Sequence, residues 1–196
     1  EGKQKNIQVF TSKNGLPDNI VRSVTASLLK GNIWIGTQSK GIYQLNIPQR
    51  SLLNNNLPAW EYGQVNDIKE QLNEVVIATQ DNDVMVLDKR TQVFSKEPFS
   101  DSLAHSISDI ETDDEENTWF ANEYKLLKST GAYLRYLQTM PNTELRKIHT
   151  LLADREGNIF YTPDEGLYQY SHKKKKNRKI FDVNQAGMDI TCLYKD

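Results

Sequence analysis

The sequence predicts an all-β protein, a β-propeller segment of about four four-stranded blades plus partial blades at both ends. Two repeated patterns predict this fold. A short apolar run recurs four times at spacings of 42, 43 and 41 residues, and an apolar–x–x–apolar step recurs five times at spacings of 44, 42, 41 and 42. A period of about 40–50 residues built from short strands is typical of propeller blades.

The first pattern places a small or polar residue before an apolar run that is centred on one anchor position. The four copies read GNIWIGT, NEVVIAT, NTWFAN and GNIFYT, with anchors at Trp34, Val76, Trp119 and Phe160. A second apolar run, such as Gly41-Ile42-Tyr43, follows seven or eight residues after each anchor. Each unit therefore contains at least two neighbouring strands.

The apolar step lies ahead of each anchor and gives an independent measure of the same period. Its copies are Val21/Val24, Val65/Ile68, Ile107/Ile110, Ile148/Leu151 and Ile190/Leu193. An aspartate follows three residues after each of the last three copies, at Asp113, Asp154 and Asp196. Because two patterns share one period, we interpret the repeat as a structural unit.

Each unit holds three clear strand candidates and a weaker fourth, near 58–62, 91–95, 132–138 and 178–182. The runs NIWIG and VVIAT are continuously apolar. A strand that is covered on both faces needs this composition, and blades cover each other in this way. No segment sustains the i, i+3, i+4, i+7 stripe of an amphipathic helix.

The repeat divides the chain into one propeller domain with unequal ends. The predicted ranges are 1–19 for the outer strand and leading loop of a preceding blade, 20–63 for blade 1, 64–105 for blade 2, 106–146 for blade 3, 147–185 for blade 4, and 186–196 for the first strand of a further blade. Neither end has the polar cap that terminal repeats need. We expect a segment of a larger propeller; a complete four-bladed propeller closed by its end pieces is the alternative.

Composition narrows the class of protein. With 37% hydrophobic residues the chain can bury a core, and a net charge of −2 gives no basic footprint for nucleic acid. Cys192 is the single cysteine, so no intramolecular disulfide forms. No stretch approaches the roughly 18 apolar residues of a membrane span. No catalytic signature, metal-ligand spacing or cofactor motif is present, so we expect no cofactor.

The stretch NGLPDNIVRSVTASLLKGNIWIGTQSKGIYQLN, residues 14–46, resembles the two-component regulator propeller repeat. Gly15-Leu16-Pro17, Asn19, Trp34, Gly36-Thr37 and Gly41-Ile42-Tyr43 fit that pattern. The fourth unit, ADREGNIFYTPDEGLYQY, also fits, with Phe160 in place of tryptophan. The second unit has Val76 at the anchor, and the third lacks the Gly-Thr and Gly-Leu elements.

This resemblance implies a sensory ectodomain of a hybrid two-component system protein of the Bacteroidetes type. Such proteins place propellers in the periplasm, ahead of a membrane helix and cytoplasmic kinase, receiver and DNA-binding modules. Their ligands are often polysaccharide fragments, and they work as dimers. The resemblance thus implies a periplasmic, non-enzymatic segment that senses carbohydrate. Contact with a membrane, and the histidine kinase, would belong to other parts of the parent protein.

Ligands of propellers usually meet the loops at one face of the blades, so the loops after each anchor strand and before each first strand are the candidate site. They supply carboxylates, amides and a few aromatics, a mixture that suits polyols. The candidate ligand-binding residues are Gln38, Lys40, Gln80, Asp81, Asn82, Glu123, Tyr124, Asp164, Glu165, His105 and Arg146. We expect Trp34, Trp119 and Phe160 to be core residues and not sugar-stacking platforms.

Several features leave alternatives open. TDDEENTW, residues 112–119, resembles the Asp-box of sialidase-type propellers, with Glu116 at the glycine position. A propeller glycoside hydrolase or lyase is therefore one alternative function, and a protein-binding scaffold is another. HKKKKNRK, residues 172–179, is expected as a solvated hairpin, with contact to an anionic polysaccharide or lipid head group as the alternative. His149 is expected to be a strand residue. Self-association through blade edges or propeller faces is also expected.

Overall fold

A computed structural model describes residues 7, 9–53, 57–130, 136–140, 147–186 and 190–195. Within them, sixteen strands form four separate four-stranded antiparallel sheets. The strands of each sheet lie in sequence order. Each sheet is therefore one local meander, which we number as blades 1 to 4.

The strand bounds follow the predicted repeat. Blade 1 contains β1 (Val21–Ala26), β2 (Asn32–Thr37), β3 (Ile42–Asn46) and β4 (Ser51–Leu52); blade 2 contains β5 (Val65–Glu70), β6 (Glu74–Thr79), β7 (Val84–Asp88) and β8 (Phe94–Lys96); blade 3 contains β9 (Ile107–Thr112), β10 (Thr118–Asn122), β11 (Leu126–Thr130) and β12 (Tyr136–Thr139); blade 4 contains β13 (Ile148–Ala153), β14 (Asn158–Pro163), β15 (Gly166–Ser171) and β16 (Lys176–Asp182). A 3₁₀ turn spans Pro98–Ser102 and a short helix, α1, spans Val183–Ala186.

The blades stack side by side through their first strands. Strand β1 contacts β5, β5 contacts β9, and β9 contacts β13, so the first strands line the inner edge of the assembly. No contact of similar extent joins β1 to β13 among the described elements. Among the described residues the four blades therefore form an open arc.

The apolar step packs each first strand against the blade before it. Val65 and Ile68 are 0% and 1% exposed, and they share one cluster with Trp34 and Ile42 of blade 1. Val24 in blade 1 occupies the same position but is 58% exposed, because no preceding sheet among the described residues covers it. The step is thus an inter-blade contact, which explains why it recurs with the blade period.

The anchor residues face the next blade along the chain. Trp34 is 3% exposed in the cluster between blades 1 and 2, and Trp119 is 0% exposed in the cluster between blades 3 and 4. Phe160 is half-buried on the outer side of blade 4. The expectation that these aromatics are core residues is confirmed for the two tryptophans. Because both are buried, neither can serve as an exposed stacking platform for a sugar.

The fourth strand of blade 1 lies earlier than the sequence pattern indicated. Ser51 and Leu52 pair with Asn46 and Leu45, whereas the predicted segment 58–62 has no strand. Strand pairing continues directly from the turn after β3, and the later apolar residues pack instead as an aromatic group. The ring centroid of Trp60 lies 5.2 Å from that of Tyr62 and 5.4 Å from that of Phe94.

The predicted partial blades remain predictions. Residues 9–20 form turns and irregular backbone with no strand, and residues 1–6 and 8 lie outside the described residues. Residues 190–195 also form no strand. They do lie beside blade 4, since Lys195 Nζ donates a hydrogen bond to the carbonyl of Ala153 at 3.2 Å.

Candidate functional site

The meander topology gathers the candidate loops at one face. In an antiparallel meander the second–third strand loop and the segment leading into the first strand lie at the same end, which we call the upper face. The opposite end, with the first–second and third–fourth strand turns, is the lower face. The predicted ligand-binding residues on described segments all fall on the upper face; Arg146 lies outside the described residues.

A threonine at the end of the second strand fixes two of the upper loops. The buried Thr37 hydroxyl donates to the carbonyl of Gly41 at 2.8 Å and accepts from the backbone N–H of Lys40 at 3.1 Å. Thr79 makes the equivalent pair of bonds with Asp83. The threonine of the Gly-Thr element therefore holds the loop through two hydrogen bonds to its backbone. The side chains of the loop take no part in these bonds and are accessible to solvent.

In blade 1 the upper face carries two hydrogen-bonded pairs. Arg22 Nη2 donates to Gln38 Oε1 at 2.7 Å, and Asp18 Oδ2 accepts from both the backbone N–H and the hydroxyl of Ser39. The hydrogen bond from the backbone of Ile20, with those of Ser39, holds the pKa of Asp18 below its ordinary value. Lys40 contributes to the same shift through its charge. This corner is polar and carries a fixed negative charge.

In blade 2 the predicted residues lie on a tight loop. The backbone N–H of Gln80 donates to the carbonyl of Gln64, and Asn82 has a φ of 67°. A Cβ atom added at Gly63 would lie 2.4 Å from Asp81 Oδ2, so that glycine allows the two segments to approach. The loop is therefore compact.

In blade 3 the predicted residues do come together. His105 Nδ1 lies 3.2 Å from Glu123 Oε2, and the His105 ring meets the Tyr124 ring edge to face at 4.7 Å between centroids. All three side chains are about 40–50% exposed, with Tyr124 at 44%. An exposed aromatic beside a carboxylate and an imidazole is the best-formed polar–aromatic group among the predicted residues.

In blade 4 the sequence interpretation missed a pair. His149 lies on β13, as predicted, but its Nε2 is 2.7 Å from Asp164 Oδ1 at the edge of a cavity of about 580 Å³. Ile190 and Thr191 line the same cavity. The neighbouring Glu165 accepts a backbone hydrogen bond from Val183 through its carbonyl. The pair adds a titratable group to the upper face.

The structure also shows a polar row along the inner strands that sequence reasoning missed. The Ser23 hydroxyl donates to Asp67 Oδ1 at 2.7 Å, and Asp67 Oδ2 accepts from the backbone N–H of Ile110. In the next blade Asp109 Oδ2 accepts from the backbone N–H of Leu151 at 2.6 Å. Side chains of one blade thus bond the backbone of the next, and they join the blades at the inner edge.

The two carboxylates of this row lie in adjacent blades. Burial, and then the charge of Asp67, raise the pKa of Asp109 to about 8. The row occupies the third position of the apolar step, which is polar in the copies of all four blades, at Ser23, Asp67, Asp109 and Thr150. The recurrence of a polar residue at this position is the sequence pattern from which the polar row could have been predicted.

The lower-face turns are built around aspartates. Asp113 accepts bonds from the backbone N–H groups of Glu115 and Asn117 and, at 2.7 Å, from the indole N–H of Trp119. In blade 4, Asp154 accepts the two equivalent backbone bonds, from the N–H groups of Glu156 and Asn158. The Asp-box resemblance is therefore structural, and Glu116 adopts a φ of 61° at the position that is Gly157 in blade 4.

The basic cluster lies on the outer edge of blade 4. Lys173, Lys174 and Lys176 are exposed and line a cavity of about 840 Å³ together with Arg155 and Arg178. Across the described ranges, no group of three or more His, Cys, Asp or Glu side chains has the arrangement of a metal site. No helix among the described residues has the length and apolarity needed to span a membrane.

The fold is a β-propeller, with all strands in four antiparallel meanders that stack through their inner edges. Known structures with the same arrangement include the extracellular domain assigned to the hybrid two component system BT3049 from B. thetaiotaomicron, with a TM-score of 0.68, 17% identity, and coverage of 89% of this chain and 26% of that chain. The extracellular domain assigned to BT4673 from the same organism gives 0.64, 18%, 89% and 24%. Virginiamycin B lyase from Staphylococcus aureus gives 0.63, 15%, 81% and 54%.

These similarities agree with the resemblance drawn from the repeat. No protein-family model and no curated protein matches the sequence. The chain spans about a quarter of the length of the two B. thetaiotaomicron domains. At identities of 15–18% the likeness shows the fold.

Proposed function

We propose that this chain is a non-catalytic sensing segment of the extracytoplasmic region of a hybrid two-component regulator. The observation that carries the proposal is the fold, which is similar to the extracellular domains of two B. thetaiotaomicron systems of that kind. The repeat resemblance of residues 14–46 supports the same assignment. On this proposal the segment is periplasmic, and the histidine kinase belongs to the rest of the parent protein.

The proposed ligand is an oligosaccharide bound at the upper face. The support is chemical: the face carries amides, carboxylates and the exposed Tyr124, which can hydrogen-bond hydroxyls and stack on a sugar ring. The proposal of a non-catalytic role rests on how the carboxylates of the upper face are paired with histidines. Glu123 and Asp164 each face a histidine, whereas glycoside hydrolysis needs two carboxylates that flank one bond.

Calorimetric titration of the chain with a panel of oligosaccharides, followed by chromatography of the mixtures, tests this proposal. We expect saturable binding of at least one sugar with no new products. The variant Tyr124→Ala should weaken that binding about fivefold through lost stacking. Tyr194→Ala is the matched control, because Tyr194 is 83% exposed and lies outside the upper loops.

An enzyme is the alternative outcome, and two observations favour considering it. Virginiamycin B lyase shares the fold, and the His149–Asp164 pair has the geometry of a general base and its orienting carboxylate. Formation of product that disappears in both His149→Ala and Asp164→Asn would replace the sensor proposal with a lyase or hydrolase. The binding panel and the product assay thus separate the two functions.

We also propose self-association through open blade faces. Val21 and Val24 are 38% and 58% exposed on one face of blade 1. The residues at the same positions in blades 2, 3 and 4 are buried against the preceding blade. Sedimentation equilibrium of the chain should show concentration-dependent association that Val24→Lys reduces. A monomer at all concentrations, with a protein captured by pull-down, would favour the protein-binding scaffold.

A further inference from the structure

The outer edge of blade 4 concentrates positive charge in a chain that is acidic as a whole. Strand β16 is the outermost strand of its sheet and pairs with β15 on one side only. Together with the turn before it, it supplies residues 173–181, which we call the basic edge. These residues hold six lysine or arginine side chains and no acidic one, whereas the net charge of the chain is −2.

Most of these positive charges have no carboxylate partner. Lys173, Lys174, Lys175, Lys176 and Arg178 are all exposed. Among the described residues, the one ion pair of the basic edge joins Lys179 Nζ to Asp182 Oδ2 at 2.6 Å. The basic edge therefore presents at least five unneutralised cations to solvent.

The outer hairpin of blade 2 shows that the fold does not require such free charge. There, Lys89 pairs with Glu70, and Lys96 pairs with Asp83 and Asp101. Lysine on an edge strand can also prevent sheets from joining at their edges. That role does not explain Lys173–Lys175, because they lie in the turn and β16 begins at Lys176.

The cations of the basic edge also surround a concave surface. A cavity of about 840 Å³ is lined by Lys173, Lys174, Lys176 and Arg178, with Arg155 from the first–second strand turn of the same blade. Arg178 Nη2 donates to Gln169 Oε1 at 2.7 Å, which orients the guanidinium group. Lysine and arginine side chains placed in this way bind phosphate groups through charge-assisted hydrogen bonds.

Exposed apolar side chains follow the cations on the same strand. Ile180 and Phe181 are 42% and 41% exposed. A strand rises about 3.3 Å per residue, so Lys176 and Phe181 lie within about 17 Å of each other along one edge. One flat surface can therefore touch the cations and the apolar pair together.

Blade stacking leaves this edge uncovered. Strand β16 has its extensive contacts with β15, just as β4 has them with β3 and β8 with β7. The blades stack through their first and second strands, such as β9 with β13 and β10 with β13. Because the outer strands of the described blades take little part in stacking, the basic edge is available to another partner.

We infer that the basic edge docks on the surface of a bilayer that contains anionic phospholipids. Binding to such a surface grows with the electrostatic attraction to anionic head groups and with the apolar area that enters the interface, and the basic edge offers both. A soluble polyanion would use the cations but leave Ile180 and Phe181 in water. The inference places a membrane contact on this segment itself, and it stands whether or not the upper face binds a sugar.

The probes are vesicles of phosphatidylcholine alone and vesicles of phosphatidylcholine with phosphatidylglycerol. Co-sedimentation of the chain should give a partition coefficient at least about tenfold higher for the vesicles with phosphatidylglycerol, because exposed cations near the surface are attracted to anionic head groups. Added salt should reduce this preference through screening. Equal partitioning into the two kinds of vesicle, or no binding to either, would overturn the inference.

A charge variant locates the contact. Lys173→Gln, Lys174→Gln and Lys175→Gln together should lower the partition coefficient about tenfold or more. The matched control removes the same charge from exposed positions in blade 1 and the segment before it, with Lys13→Gln, Lys30→Gln and Arg50→Gln. We expect the control to change binding less than about threefold, because charges far from the lipid surface are screened. Equal losses in the two triple variants would show that net charge alone drives binding and would contradict the site.

An apolar variant separates a bilayer from a soluble polyanion. Ile180→Ser with Phe181→Ser should lower the partition coefficient about fivefold or more, because the apolar pair no longer enters the interface. Leu28→Ser with Leu29→Ser is the matched control, since those leucines are 62% and 59% exposed on blade 1, and it should leave partitioning unchanged.

Soluble polyphosphate, titrated into the same variants, gives the opposing outcome. Vesicle binding that is unchanged in the Ile180/Phe181 variant and is fully displaced by polyphosphate would assign the basic edge to a soluble polyanion and reject the bilayer. Thermal melting checks that the apolar variant folds, and the charge variant lies in an exposed turn and carries the test in either case. None of these variants alters the upper face, so a failure of sugar binding there leaves this test unaffected.

Discussion

At the turn between β9 and β10, one carboxylate satisfies several donors that would otherwise lie unpaired near the core. Asp113 accepts from the backbone N–H groups of Glu115 and Asn117, from the Asn117 amide, and from the buried indole of Trp119. It is 8% exposed, and Trp119 is 0% exposed. The residue therefore connects the geometry of the turn to the packing of blade 3 against blade 4.

Replacing Asp113 with alanine should lower the free energy of unfolding by about 2–3 kcal/mol, because the buried indole N–H loses its acceptor and the turn loses its backbone bonds. Urea denaturation followed by tryptophan fluorescence measures this change. Asp114→Ala is the control: Asp114 is exposed and its ion pair with Lys195 is long at 4.0 Å, so we expect a change within about 0.5 kcal/mol. Equal effects of the two variants would contradict the role of Asp113.

Glu116 provides a residue-scale prediction of the opposite sign. Its φ of 61° lies in the left-handed region, and glycine at this position removes the steric cost. We expect Glu116→Gly to raise the free energy of unfolding by up to about 1 kcal/mol, after the entropy lost by glycine is counted. A calorimetric melting curve reports it. Glu115→Gly, at a residue without a positive φ, should destabilise; a lower melting temperature for Glu116→Gly would show that the turn does not strain this residue.

At the scale of the elements, the contact between β2 and β5 depends on the absence of a side chain. A Cβ atom added at Gly36 would lie 2.5 Å from Val65 Cγ1 and 3.0 Å from Ile68 Cδ1. Val65 is fully buried against blade 1. The glycine of the Gly-Thr element therefore sets how closely blade 2 approaches blade 1.

Gly36→Ala should accordingly cost about 1–3 kcal/mol through overpacking. Val65→Ala alone should also destabilise, since it leaves a cavity. The double variant should be more stable than the sum of the two changes predicts, because the smaller residue at 65 makes room for the new methyl group. A double-mutant cycle from urea denaturation gives the coupling energy, and strict additivity would show that the two positions do not touch.

The strands were predictable because their signal repeats. The step at Val65/Ile68 and the anchor at Trp34 each serve a contact between blades. Because that contact is made three times among the described blades, the residues that make it recur in the sequence with the blade period. The position of β4 was not predictable, because only Ser51 and Leu52 form it and the apolar residues after Pro58 offered a stronger pattern. Those apolar residues pack around Trp60 instead. This is a tertiary contact that does not recur with the blade period.

The candidate site was predictable only as a face. Meander topology places Glu123 and His105 at one end of the blades, and the structure adds that they touch. The His149–Asp164 pair depends on the register of β13 with β14, in which Ile148 opposes Pro163 across an irregular step. One residue of register decides whether those side chains meet, and the sequence pattern does not determine register at that resolution.

At the scale of the whole molecule, the blades are joined at the inner edge by side chains and not by shared sheets. Asp67 and Asp109 belong to neighbouring first strands and bond the backbone of the next blade. Lys69 and Glu111 pair across the same seam. The protonation state of Asp109 therefore affects the free energy with which blades 2, 3 and 4 stack.

The free energy of unfolding should fall as the pH rises toward the raised pKa of Asp109. Burial and the Asp67 charge raise its pKa from an ordinary 3.8 to about 8, so the folded chain holds a proton that the unfolded chain has released. The free energy of unfolding then decreases with pH between these values, by about 1 kcal/mol per pH unit, and levels off above them. Asp109→Asn keeps a hydrogen-bonding side chain without the charge and should flatten this decrease.

The difference between wild type and Asp109→Asn, measured by urea denaturation from pH 6.5 to 8.5, isolates the effect. Burial, and then the Lys128 charge, lower the pKa of His172, which gives a slope of the opposite sign at lower pH, but His172 is common to both chains and cancels in the difference. A difference that does not grow with pH would show that Asp109 is ionised in the folded state throughout.

The sequential order of strands within each sheet has a consequence for how the chain acquires its structure. Each hairpin pairs with the segment made just before it, so a blade needs no residue that is synthesised much later. Contacts that are local in sequence close quickly, and units of this kind can fold one after another as the chain emerges. What each new blade then adds is a docking step, in which its first strand covers the apolar face left open by the last.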